Sequence, residues 1–198
     1  SRHCARDATR HQTGSRGDVP VALSGATRTL TREYVAEHVA HTAIEPISGT
    51  ALVEGDRVTL WLATQSPTMV LDWAARAAGT SIDRITLHST FIGGGFGRLS
   101  DEGDNAYEAT LLAMQVPGRP VKLIRPREDD FLAGKFRPLA AQRIDVGLDA
   151  TGNIVAWRHR VVSASAYARF KPRIYQATGG MDYVAGLGCD VLYGWPNH

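Results

Sequence analysis

The stretch Thr90 to Asp101, TFIGGGFGRLSD, sets Gly93, Gly94, Gly95 and Gly97 around Phe96, between a strand-like run and an acidic segment. A backbone stripped of side chains reaches positive φ without steric cost and brings its N–H groups close to a bound group. The dinucleotide fingerprint G-x-G-x-x-G needs a glycine where Arg98 stands. The nucleotide-phosphate loop needs Gly-Lys followed by Ser or Thr, which does not occur. Two readings remain for these residues: a close-approach loop for another kind of group, or a tight turn between strand and helix.

Other groups with chemical potential are scattered. Gln65 in ATQSP ends an alternating run just before a helix start. Its carboxamide can offer N–H to a ligand oxygen there, or sit in water as an ordinary loop amide. His38, His41 and Glu45 have a metal-like spacing, but a strand puts His38 and His41 on opposite faces. Structural or surface histidines are therefore expected, and no metal ligand is assigned. Glu128, Asp129 and Asp130 sit at an expected helix start, where the helix dipole explains them. No G-x-S-x-G elbow is present. Cys4 and Cys189 are too far apart for a CxxC pair, an iron–sulfur set or a structural zinc site, and read as two unrelated thiols.

These groups must be carried by a folded scaffold. The chain has 198 residues, 43% hydrophobic and 21% charged, as an ordinary folded domain does. A net charge of +2 with scattered basic residues does not point to nucleic acid. No apolar run approaches the ~18 residues of a membrane span. Residues 1–25 are polar, basic and aperiodic, and are expected to be a flexible or linker-like lead-in. Residues 26–198 are expected to form one partial domain. The run EYVAEHVAH from Glu33 alternates like a half-buried strand. TALVE and RVTLWLAT form a hairpin about Gly55-Asp56, with Val58, Leu60 and Leu62 on one face. Ser66 and Pro67 open a helix that Gly79 closes. DRITLHSTFI reads as a buried strand running into the glycines. A helix from about Asp104 to Gln115, a strand PVKLIR, a helical turn at REDDFLAG, and a last hairpin about Ala150-Thr151-Gly152 follow. This order predicts an α+β fold: a mixed, largely antiparallel sheet with helices packed on one face.

The ordered set AHTAIEP, VTLWLATQSP, ITLHSTFIGGGFGR, GRPVKLIRPREDDF and LDATGNIVAWRHRVVSAS resembles the large subunit of molybdenum hydroxylases. The resemblance runs from about Arg32 to Ala166. It lies nearest the branch of isoquinoline 1-oxidoreductase beta subunits and membrane-associated aldehyde dehydrogenases. Xanthine dehydrogenases and aldehyde oxidases are more distant. It implies a molybdenum bound through molybdopterin, often the cytosine dinucleotide form in bacteria. It also implies that Gln65 hydrogen-bonds an oxygen ligand at the metal. The backbone at Phe96 and Gly97 would face the cofactor, with Gly94 and Gly95 allowing close approach. Arg98 keeps one of two usual positive charges, since Leu99 stands where a second arginine is common.

The implied reaction hydroxylates a carbon beside a ring nitrogen, or oxidises an aldehyde, with oxygen from water. The family's catalytic glutamate lies in a far C-terminal segment that nothing here matches, so no catalytic residue is assigned. Two cysteines cannot hold iron–sulfur clusters, which implies a separate iron–sulfur small subunit. The chain begins at Ser1 and ends in YGWPNH, and is expected to be a piece of a larger subunit, without molybdenum or activity by itself. Relatives are often periplasmic or membrane-associated through a twin-arginine signal; the N-terminus shows none, and localisation stays open. A rival reading of another class is a cofactor-free α+β binding or interaction module, with the glycine loop as a structural turn.

Overall fold

A computed structural model describes residues 12, 14–100, 103–189 and 193–198. Cys4 and Asp101 lie outside the described residues. The chain forms two compact units: Ala40–Arg137, and the flanking segments up to Val39 and from Pro138 onward. The span expected as one domain, 26–198, contributes to both.

The Ala40–Arg137 unit is built on a four-stranded sheet. Its strand order is Ile85–Ser89, Arg57–Leu62, Ser48–Glu54, Val121–Ile124. The Ser48–Glu54 strand runs antiparallel to both neighbours, and the hairpin closes at Glu54–Arg57 with Gly55 at φ +61°. Arg57–Leu62 and Ile85–Ser89 are parallel, so the chain between them must cross over, and the Pro67–Ala78 helix does this. Pro67 fits the first helical turn, where its missing N–H costs nothing. Gly79 ends the helix in the left-handed region at φ +65° and donates its N–H to the Ala75 carbonyl. Ser66 stands at the N-cap, but its side chain makes no capping bond.

Alternation decides the core. Val58, Leu60 and Leu62 are buried together with Ala51, Val53 and Ile85 against Val70, Ala74, Ala106 and Ala109 of the two helices. Fully burying a side chain such as Leu60 contributes about 1.5–3 kcal/mol. Trp61 points to the other face and stacks on His88, ring centroids 5.5 Å apart. The second helix, Asp104–Ala113, stops two residues before the expected end. The segment read as a buried strand is an edge strand: it ends at Ser89, and only Ile85 in it is buried.

The flanking unit carries a three-stranded antiparallel sheet, Arg28–Ala36, Ala140–Leu148 and Ile154–Ser163. The last two strands are the predicted hairpin. The first begins five residues before Glu33, and all but Leu30 are exposed rather than half-buried. Within the predicted lead-in, Val19–Ser24 forms a short helix. Asp18 caps it by accepting from the Val21 N–H at 3.0 Å. Arg16 and His198 exchange backbone hydrogen bonds of 2.7 and 2.9 Å. Six residues are too few to show a helical period, so the cap was the only signal. The observed folds fit the α+β class. Among the described residues, no helix is long and apolar enough to cross a membrane.

Candidate functional site

The Ile85–Ser89 strand delivers the glycine loop to the end of the sheet, where the Thr90 N–H bonds the Leu62 carbonyl at 3.1 Å. The loop is then held from two sides. Gly93 donates its N–H to Glu45 Oε2 at 2.8 Å, and the Glu45 N–H returns a 3.3 Å bond to the Gly93 carbonyl. A Cβ on Gly93 would lie 2.4 Å from Glu45 Cβ. On the other side Gly97 donates to Gln65 Oε1 at 3.0 Å. A Cβ on Gly95 would lie 2.3 Å from that same oxygen. Glycine is therefore required at 93 by close approach, and at 95 a side chain would displace the Gln65 carboxamide. A turn closes where the Arg98 N–H meets the Gly95 carbonyl at 2.8 Å. Its central residues Phe96 and Gly97 have φ of +52° and +100°. A phenylalanine in that region is strained by roughly 1–2 kcal/mol.

Gln65 is itself fixed, its N–H bonded to the Leu99 carbonyl at 3.0 Å. An N–H can only donate, so the Gly97 amide selects the oxygen of the Gln65 carboxamide and leaves the Nε2 hydrogens on the other side. Among the described residues, none accepts from Gln65 Nε2 or from the N–H groups of Gly94, Gly95 and Phe96. The result is a set of neutral donors on a backbone open to close approach. Such a set suits an oxygen-rich, anionic group. Phe96, Phe91, Ile44 and Leu132 stand exposed in the same unit, Phe91 fully so.

The side chain of Arg98 turns inward. It is 6% exposed and grips Asp104, with Nη2–Oδ2 at 2.6 Å and Nη1–Oδ1 at 3.2 Å. Asp104 also accepts from Arg125 Nη1 at 3.0 Å, and Arg125 in turn holds both oxygens of Glu108. Burial raises the Asp104 pKa, but the hydrogen bond and charge of Arg98, with the charge of Arg125, outweigh it and leave it lowered. Arg125 is also partly desolvated, yet its bonds and charge pairs with Glu108 and Asp104 raise its pKa.

A small cavity of the same unit is lined by Gly94, Arg98, His41, Glu45, Asp130 and further residues of these segments. His41 Nδ1 lies 2.9 Å from the Lys135 carbonyl, which makes it the protonated nitrogen. Burial is the largest cause holding the His41 pKa below its ordinary value, with Arg137 and Arg98 acting the same way. Arg127 of the Arg127–Leu132 helix donates to the Ile44 carbonyl at 2.7 Å and to Asp130 at 3.0 Å. Among the described residues, no group of three or more His, Cys, Asp or Glu is placed to hold a metal ion.

Gln65, Gly94, Gly95, Phe96 and Gly97 thus come together, and Arg98 adjoins them with its guanidinium committed to Asp104. Sequence reasoning missed Glu45 as a brace of the loop, and the Asp104–Glu108–Arg125 cluster behind it. One signal existed: Asp104 and Glu108 are i, i+4 on one helix face, where two carboxylates require cations between them.

Comparison with known proteins adds family information. The sequence profile of the molybdopterin cofactor-binding domain matches residues 3–185. The isoquinoline 1-oxidoreductase subunit beta of Brevundimonas diminuta is 32% identical over 166 residues, 83% of this chain and 21% of that protein. The aldehyde oxidoreductase molybdenum-binding subunit PaoC of Escherichia coli O157:H7 is 31% identical over 147 residues, 72% of this chain and 19% of that protein. The crystal structure of quinoline 2-oxidoreductase from Pseudomonas putida 86 superposes with a TM-score of 0.63 at 22% identity, over 76% of this chain and 19% of that one. The chain spans about a fifth of the length of these relatives.

Proposed function

Because this chain belongs to the molybdopterin cofactor-binding domain family, we propose that it is a segment of a molybdenum hydroxylase large subunit and forms one wall of the metal–pterin site. The observation that carries the reading is the donor set without protein acceptors: Gln65 Nε2 and the N–H groups of Gly94, Gly95 and Phe96. These residues would hold the cofactor. When bound, the molybdenum–pterin group supplies a two-electron oxidation with water as oxygen source.

The chain's own part is positioning. The Gly97 N–H orients the Gln65 amide, and its Nε2 donors would be available to an oxygen of the bound group. The glycines let backbone donors approach without steric cost, and the donors are set in advance by Glu45 and Gln65. On binding, the exposed rings of Phe96 and Phe91 would supply apolar walls that exclude water and strengthen each hydrogen bond. Arg98 closes the turn from behind, its guanidinium held by Asp104. No catalytic acid or base is assigned to this segment.

An aldehyde or N-heterocycle is the substrate class, supported by the names of the relatives and by the apolar surface beside the donors. The cytosine dinucleotide form of the cofactor and an iron–sulfur small subunit as electron partner complete the proposal. The 198-residue chain alone is expected to hold no molybdenum. The test is metal analysis and oxidation assays on the product of the full reading frame, purified with any co-expressed small subunit. Stoichiometric molybdenum is expected, and Gln65→Ala should lower turnover on the order of a hundredfold or deplete the metal. Absence of molybdenum from that full-length protein supports the binding-module reading instead. Unchanged metal content and turnover in Gln65→Ala remove Gln65 from the site.

A further inference from the structure

We infer that Asp104 is the positioning residue that holds the glycine loop in its strained, donor-presenting form, acting through Arg98. The inference rests on the proposed role of the loop, but its geometry stands independently. The turn at Gly95–Arg98 keeps Phe96 at φ +52°, a conformation an L-residue leaves unless its surroundings over-determine it. Something must fix both ends of that turn. The Gly97 N–H on Gln65 fixes the front. The back is Arg98, whose N–H closes the turn and whose buried guanidinium is bound by both oxygens of Asp104.

Asp104 is suited to this task. It opens the Asp104–Ala113 helix, where a carboxylate is stabilised by the helix dipole. That helix packs on the Ser48–Glu54 strand and the Pro67–Ala78 helix. The carboxylate also accepts from Arg125, which is held by Glu108 one helical turn along. Two guanidiniums and two carboxylates therefore balance in charge, and Arg98 is tied to a helix packed on the sheet. Arginine is required, because a lysine offers one point charge and not a planar fork for both carboxylate oxygens.

The test is residue-resolved amide hydrogen exchange on the 198-residue chain, which needs no cofactor. In Asp104→Asn, exchange at the Gly97 and Arg98 amides should speed by about tenfold or more, while amides of Val58, Leu60 and Ala51 keep their protection. Arg98→Lys, which keeps the charge, should give the same loop-limited change and guards against a variant that does not fold. Wild-type protection at Gly97 and Arg98 in a folded variant overturns the inference. So does equal acceleration at the loop and at the sheet, which marks a merely structural residue. In the full-length protein, Asp104→Asn should lose cofactor affinity. If the wild-type full-length protein holds no molybdenum, the proposed function fails while the exchange result stands.

Discussion

Two glycine-bearing turns in this chain differ in how they spend their N–H groups. In the hairpin turn after Leu148, Asp149 satisfies nearly everything. Its carboxylate accepts from the Thr151 and Asn153 N–H groups at 2.9 Å each and from both of their side chains, and its carbonyl accepts from Gly152. Gly152 takes the one positive φ, at +89°, and no non-glycine residue of this turn is strained. In the Gly93–Arg98 loop, three consecutive N–H groups meet no described acceptor, a phenylalanine is held at positive φ, and a buried ion cluster anchors the far end. A turn that only reverses the chain closes on itself. The glycine loop instead keeps its donors open and bears the strain of doing so. This difference argues for a binding surface over a structural turn.

The contrast can be broken at several points. The largest effect is expected at the anchor. Arg98→Ala leaves Asp104 with one guanidinium and empties a buried site. Breaking a fully buried pair costs ~3–5 kcal/mol, and Asp104 is 24% exposed, so a loss of about 2–4 kcal/mol is expected in denaturant unfolding. Next is Gly93→Ala, whose Cβ would overlap Glu45 near its backbone. Overpacking of this kind costs about 1–3 kcal/mol, read as a lowered unfolding midpoint. Alanine at Gly152, which has open space around it, is limited to the ~1 kcal/mol of a positive φ.

Phe96→Gly sharpens the comparison in the opposite direction. It removes the strain at φ +52° and should raise stability by up to about 1 kcal/mol. A destabilised Phe96→Gly would show that the phenylalanine is held by its contacts at no net strain.

The smallest effect belongs to the self-satisfied turn. The side chain of Asn153, then that of Thr151, holds the Asp149 pKa down to about 2. A depressed carboxylate adds stability above its unfolded pKa of ~3.9 and loses it as pH falls through the folded value. The stability difference between wild type and Asp149→Asn should therefore be constant above about pH 5 and shrink from about pH 4 towards pH 2. A difference that stays flat over that range would show that the carboxylate charge does not matter to the turn.

Much of the local architecture was legible because local chemistry decides it. Gly55-Asp56 names a hairpin, Pro67 and Gly79 bracket a helix, and the alternation of Val58, Leu60 and Leu62 selects a buried face. The division at Ala40 and Arg137 was not legible, since it depends on contacts distant in sequence. Nor was the edge character of Ile85–Ser89, because a strand's alternation says nothing of how many neighbours it has. In the candidate site, the glycines and Gln65 were found by type and order. Arg98 was expected to bring its positive charge to the cofactor with the rest of the loop, and its inward turn onto Asp104 becomes visible only once Asp104 and Arg125 are placed beside it. Glu45 was weighed as a metal ligand together with two histidines, whereas its carboxylate accepts from Gly93 and Ser48.

The helix that begins at Asp104 rests on the sheet through Ala106, Ala109 and Ala113, each wholly buried, and its first turn passes over Gly49, where a methyl group would lie 3.3 Å from the Asn105 carbonyl. These small residues act as a shim of fixed thickness. Any larger side chain at Ala106, Ala109 or Gly49 would lift the helix and carry Asp104 with it, so the height of the glycine loop is gauged at the contact between helix and sheet. Substitution at these apolar positions, none of them in the loop, should be read in the placement of the loop's donors before it is read in the fold.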